Sequence, residues 1–324
     1  MKAKTIKAVL RKKTDDWIKS IKDEKVARLV KENAMITGGS IVSMLMQEQV
    51  NDFDVYLRTR EAAEAVAKYY VDIFKRDSSV KMKTGVECDM RVSNTENGVK
   101  IIIESAGIAK EGGTNEYAYF EQQTAEETAN YVDQVVPDGN QNSFIERLGL
   151  ADEVSGDALD KNEEPYRPMF LSANAITLSN KIQIVIRFIG EPDQIHKNYD
   201  FVHCTCCWTS WDNNLTLPAA ALEAMITKEL RYTGSLYPLC SIIRLRKFIA
   251  RGWTVNAGQI LKMCFQLGQL DLNNLKVLED QLTGCDAFYF LQVIDQLKQK
   301  QKEEGGERTT IDETYLMTIV DRLF

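Results

Sequence analysis

The stretch from 34 to 57, AMITGGSIVSMLMQEQVNDFDVYL, constrains the fold more than any other part of this chain. Ala34-Met35-Ile36 reads as a short buried strand and Gly38-Gly39-Ser40 as a glycine turn. Ile41, Val42, Met44, Leu45 and Met46 then start a helix, and Asp52-Phe53-Asp54-Val55-Tyr56-Leu57 alternates as a strand should. The next segment, RTREAAEAVAKYYVDIFKR, is helical by propensity and spacing. Strands and helices mixed in this way set the expectation of an α+β fold.

The rest of the chain extends that pattern. Residues 13–33 carry Trp17, Ile18, Ile21, Val26, Leu29 and Val30 among charges, which predicts one or two helices. Residues 78–104 read as two strands joined at Asn97-Gly98, a favoured hairpin turn. From 107 to 165 the chain is polar and rich in Gly, Asn, Asp and Glu, with one helix expected around TAEETANYVDQVV; this is read as an insertion. KIQIVIRFIG is a β-branched run expected to be a central strand, followed by a helical EPDQIHKN and a strand-like run over 199–204. From 218 onward helices are expected over 218–231, 237–251, 256–267, 272–282, 285–301 and 311–323. The expected organisation is a domain over 1–217 with N-terminal helices and the insertion, then a helical domain over 218–324.

Composition enters where it excludes something. With 44% hydrophobic and 27% charged residues, disorder and fibrous repeats are excluded. The 324 residues suffice for two domains. A net charge of −7 offers no global attraction for nucleic acid, although a local basic surface remains compatible with it. No apolar run approaches the ~20 residues that span a bilayer, and the basic start lacks a signal-like apolar segment, so a cytoplasmic location is expected. Seven cysteines fit reduced thiols better than a disulfide framework. Cys204, Cys206 and Cys207 beside His203 invite a zinc reading, but no second ligand pair stands at finger-like spacing, which favours buried thiols.

Two aspartates at i and i+2 on a strand share a face, so Asp52 and Asp54 can grip the same metal ions while Phe53 turns away. Paired divalent ions roughly 3.5–4 Å apart neutralise charge that builds during nucleotidyl transfer, and carboxylates are the ligands they need. Upstream, Gly38, Gly39 and Ser40 open a helix whose amides can receive a triphosphate without side-chain obstruction. Ser40 reads equally as a plain N-cap.

Taken together, TGGSIVSMLMQEQVNDFDVYL resembles the polymerase beta nucleotidyltransferase superfamily, whose pattern is a Gly-Gly or Gly-Ser pair, about a dozen residues, then Asp-hydrophobic-Asp-hydrophobic. The resemblance implies a mixed-sheet catalytic domain, two Mg2+ ions with Mn2+ as a substitute, and a third metal-binding carboxylate on a later strand. Asp200 in NYDFVHC is the preferred match and Asp89 in VECDMRV its rival. IIRLRKFIARGWTVN also resembles, more loosely, the segment that begins the helical portion of CCA-adding and poly(A)-adding enzymes. There Arg244, Lys247 and Arg251, at i, i+3 and i+7, would bind the nucleotide or an RNA backbone. The usual Arg-Asp after the glycine pair is replaced by Val42-Ser43, and Tyr237 and Cys240 stand where an Asp and an Arg are expected, which departs from the CCA pattern.

The resemblance therefore implies a metal-dependent nucleotidyltransferase that binds a nucleoside triphosphate and transfers its nucleotidyl group to the 3′ hydroxyl of an RNA, tRNA among the candidates. A protein, small-molecule or nucleotide acceptor is the second expectation. An inactive binding protein of the same fold is the third.

Overall fold

The computed structural model describes residues 1–76, 88–95, 98–105, 165–171 and 174–274, together with Val277, Leu278 and Gln281. These fall into two compact units, one ending at Ile226 and the other beginning at Thr227.

The first unit opens with helices α1 (Ala3–Ser20) and α2 (Glu24–Asn33). In α1 the residues Ile6, Leu10, Thr14 and Trp17 are buried, the one-sided spacing that turns an apolar stripe inward. Asp23 caps α2 by accepting hydrogen bonds from the backbone amides of Lys25 and Val26, at 2.8 and 3.0 Å. Then come β1 (Ala34–Thr37), α3 (Gly39–Met46), β2 (Phe53–Leu57) and α4 (Arg60–Arg76). The indole of the fully buried Trp17 donates a 2.7 Å hydrogen bond to the Tyr70 hydroxyl, tying α1 to α4.

The expected hairpin forms as β3 (Cys88–Thr95) and β4 (Gly98–Ser105), an antiparallel two-stranded sheet of its own. The remaining strands are β5 (Pro168–Leu171), β6 (Ala175–Leu178), β7 (Ile182–Ile189), β8 (Cys207–Thr209) and β9 (Asn214–Thr216). With β1 and β2 they build a seven-stranded sheet in the order β5-β6-β7-β2-β1-β8-β9. Only β2 and β7 pair in parallel; all other neighbours are antiparallel. The fold is therefore a mixed α+β, and KIQIVIRF is an interior strand as expected.

Register sorts the side chains by face. Ile176, Ile184, Val55, Ile36 and Trp208 lie opposite one another across five strands, and all are at most 2% exposed. The alternate positions form the other face, where Met35, Tyr56 and Cys207 pack under the short helix α5 (Pro192–His196) through Ile195. Val185, Phe188, Tyr199 and Trp211 complete that thinner cover.

One local expectation fails. The run over 199–204 is not a strand: a 3-10 helix spans Val202–Thr205, and the strand that follows begins at Cys207. The backbone finds partners locally, with the Cys204 amide bonding the Phe201 carbonyl at 3.1 Å and the Thr205 hydroxyl bonding the Val202 carbonyl at 2.7 Å. Those short-range bonds replace a sheet neighbour.

Helix α6 (Ala219–Thr227) closes the first unit. In the second, α7 (Pro238–Ala250) and α8 (Ala257–Leu267) form where helices were expected, each shorter by a residue or more. Asn256 caps α8 through the Gln259 amide at 3.0 Å. Cys204, Cys206, Cys207 and Cys264 are free thiols, whereas Cys240 is disulfide-bonded, which corrects the expectation of uniformly reduced cysteines. The helices expected over 285–301 and 311–323 and the one around TAEETANYVDQVV lie outside the described residues.

Candidate active site

The site is built where β1 hands over to α3 beside the start of β2. Gly38 is the pivot, with φ +89°, a backbone region that side-chain-bearing residues rarely occupy. A Cβ there would stand 3.4 Å from Asp54 Oδ2 and 3.7 Å from the Tyr199 hydroxyl. The glycine thus lets the chain turn and keeps space open directly over the carboxylate. Helix α3 begins at the next residue, so its first amides have no acceptor within the helix. Ser40 is not the N-cap; Gly38 is, and it supplies no side-chain bond. Ser40 is 2% exposed and its Oγ has no hydrogen-bond partner among the described residues.

Asp54 sits on β2 on the same face as Tyr56, across from Gln183 of the parallel strand β7. Burial, reinforced by the charge of Asp52, pushes its carboxyl up to about 7. Asp52 precedes the strand and is exposed. Two carboxylates this close resist joint ionisation until a cation joins them. The donor set therefore fits a hard divalent ion: anionic oxygens, a repulsion such an ion relieves, and an adjacent helix start able to hold phosphate.

A hydroxyl and imidazole cluster backs the pair. The Tyr199 hydroxyl hydrogen-bonds the side chains of Tyr56 and Thr37, and burial raises its pKa well above the ordinary phenol value. Thr37 Oγ1 hydrogen-bonds the Cys206 carbonyl at 2.8 Å and lies 2.9 Å from His196 Nε2, with which it shares a further hydrogen bond. Burial lowers the His196 pKa against an opposing pull from Asp193, which keeps the ring neutral at pH 7.

The structure sets Gly38 against Asp54 and keeps Asp52 near enough to act on its charge, while Gly39 and Ser40 follow on the first turn of α3. Asp200 follows Tyr199 and is 6% exposed, but among the described residues no three His, Cys, Asp or Glu side chains converge as a metal-holding group. Asp89 lies on β3, in the separate two-stranded sheet. His203 is fully buried and stacks on Phe201 at 6.0 Å between ring centres, part of the apolar packing rather than of a metal site. Arg244 and Lys247 lie on α7 in the second unit, while Arg251 is that helix's C-cap and falls past the end of the expected face.

Sequence reading missed Thr37, Tyr56, Gln183, His196 and Tyr199. Tyr56 and Gln183 carried a signal: the alternation that puts Asp54 on one face puts Tyr56 there too, and Gln183 interrupts an apolar run. Thr37, His196 and Tyr199 meet only through tertiary contacts.

Residues 8–228 match the family described as Gabija anti-defense 2 family protein. A curated relative, "Gabija anti-defense 2" of Bacillus phage SPbetaL7, is 20% identical over 147 residues. That alignment covers 44% of this chain and 36% of the relative, so the match spans about a third of the relative's length. Among solved structures, the Bacillus stearothermophilus CCA-adding enzyme in complex with CTP aligns at 9% identity and a TM-score of 0.37, covering 86% of this chain and 50% of that one. The Thermotoga maritima CCA-adding enzyme complexed with tRNA aligns at 10% identity and a TM-score of 0.37, covering 95% and 68%.

Proposed function

The chain belongs to the Gabija anti-defense 2 family, and on that premise we propose that it counters Gabija defense as a metal-dependent nucleotidyltransferase. The observation that carries the reading is the placement of Asp54 Oδ2 beside the positive-φ Gly38, at the start of α3, with Asp52 close enough to raise its pKa.

In this reading Asp52 and Asp54 hold divalent metal, Mg2+ or Mn2+, which when bound neutralises charge on the phosphoryl oxygens. The backbone of Gly38 and Gly39 and the hydroxyl of Ser40 receive the triphosphate. Ser40 Oγ, buried and without a partner among the described residues, thereby gains an acceptor. Tyr199 and the neutral His196 hold the wall behind the pair by hydrogen bonds through Thr37. Arg244, Lys247 and Arg251, on the second unit, are the cations proposed for an RNA backbone. The acceptor proposed is the 3′ hydroxyl of an RNA.

A second reading keeps the chemistry and changes the acceptor to a protein, a small molecule or a nucleotide. The net charge of −7 favours it. Incubation of the intact chain with each labelled nucleoside triphosphate, Mg2+ and cellular RNA separates the two, beside Asp52→Ala and Asp54→Ala controls. Label in RNA only with the intact chain supports the RNA acceptor. Label on protein or a small product supports the second reading, and no label with any acceptor rejects transfer and leaves a binding role.

A further inference from the structure

At the far end of β2 and β7 from the carboxylate pair lies a cleft of about 430 Å³ that the chemistry above does not use. Arg58, Arg60 and Arg187 all line it, together with Phe188, Gln194 and Asn198. No carboxylate appears among its described lining residues. Arg58 follows the end of β2 and Arg60 starts α4, while Arg187 approaches from β7. Two segments distant in sequence, 58–60 and the end of β7, thus bring three guanidinium groups to one concavity of a chain whose net charge is −7. Such local concentration of positive charge against an acidic whole selects anions and orients them.

Guanidinium forks match phosphate oxygens geometrically, and the Nε2 amide of Gln194 can donate a further bond. Aromatic surface lies beside the cations. Phe188 is in the lining, and the Arg58 guanidinium sits over the Trp211 ring, 4.4 Å from its centre. Of these rings Phe188 lines the concave surface, beside the Arg187 guanidinium at 5.5 Å from its centre, and cations beside a ring suit phosphate contact together with base stacking. Arg58 is already anchored by the Glu32 carbonyl at 3.0 Å and by Asn33, and it approaches Glu191 at 3.9 Å. It therefore serves as a fixed wall, with Arg60 and Arg187 completing the cleft. Four residues of extended chain separate Asp54 from Arg58, about 13 Å.

We propose that this cleft binds the phosphate backbone of a single-stranded nucleic acid. The inference deepens the acceptor side of the function proposed above, yet it concerns binding alone and is tested without metal or turnover.

The measurement is fluorescence anisotropy of labelled single-stranded RNA and DNA 12-mers titrated with the full chain over a range of salt concentrations. In the double variant Arg60→Gln/Arg187→Gln, affinity should fall at least about tenfold. The slope of log affinity against log salt should shrink by about 1.4, two contacts at roughly 0.7 each for single strands. A charge-matched control on α1 and α2, Lys12→Gln/Arg28→Gln, should retain affinity, and Arg60→Lys/Arg187→Lys should recover most of it. Melting temperatures check that each variant folds.

Unchanged affinity in the first variant, equal loss in the control, or failure of the lysine pair to recover binding while folded would overturn the proposal. So would competition by a free nucleoside triphosphate as effective as by unlabelled strand, since that assigns the cleft to a small phosphate ester. Asp54→Asn should bind the strand like the parent chain, so failure of nucleotidyl transfer and failure of this cleft are read separately.

Discussion

At Asp54 a carboxyl is held near a neighbour of like charge and largely out of water, and its pKa rises to about 7. The folded chain therefore binds this proton more tightly than the unfolded chain does. The sign of the linkage is that metal-free stability falls as pH rises from about 4 through about 7. Asp54→Asn removes that dependence. In melts without metal the variant should match the parent near pH 4 and exceed it above pH 7, by roughly 2–4 °C for each kcal/mol relieved. Equal melting temperatures at pH 8 would sink this account. At Gly38, alanine meets both a positive φ and a Cβ position 3.4 Å from Asp54 Oδ2. Gly38→Ala should lose about 1–2 kcal/mol of stability and its Mg2+-dependent nucleotide binding, as read by calorimetry.

Elements show a different balance of local and distant causes. Helix α1 follows from its own spacing, but its place depends on the Trp17–Tyr70 bond to α4. Tyr70→Phe leaves a buried indole N–H without an acceptor, and urea unfolding should show a loss of about 1–3 kcal/mol. The strands β1, β2 and β7 were legible because apolar alternation and β-branched runs are local signals. The 3-10 helix at Val202–Thr205 was not, because aromatic and β-branched residues suit either conformation and the choice rested on i→i+3 bonds within the segment. Nor were β8 and β9, whose three-residue length is too short for a period to emerge.

For the molecule as a whole, a ligand that binds only the folded chain stabilises it by mass action, about 2.7 kcal/mol at a hundredfold excess over Kd. Mg2+ at neutral pH should therefore raise the melting temperature of the parent chain and not that of Asp52→Ala. A shift of equal size in both would remove the metal from the proposed site. The sequence by itself determined that Asp52 and Asp54 stand next to one another and follow a glycine turn, because strand alternation and glycine's freedom at positive φ act over a few residues. It also determined the mixture of strands and helices. The tertiary structure decided what surrounds the pair: Gln183 across the parallel register, and Tyr199, Thr37 and His196 behind it. It decided, too, that Arg187 meets Arg58 and Arg60 in one cleft. Gln183, Arg187, His196 and Tyr199 lie more than a hundred residues of chain from the β1–β2 segment they meet, and the order of strands in the sheet brings them within reach.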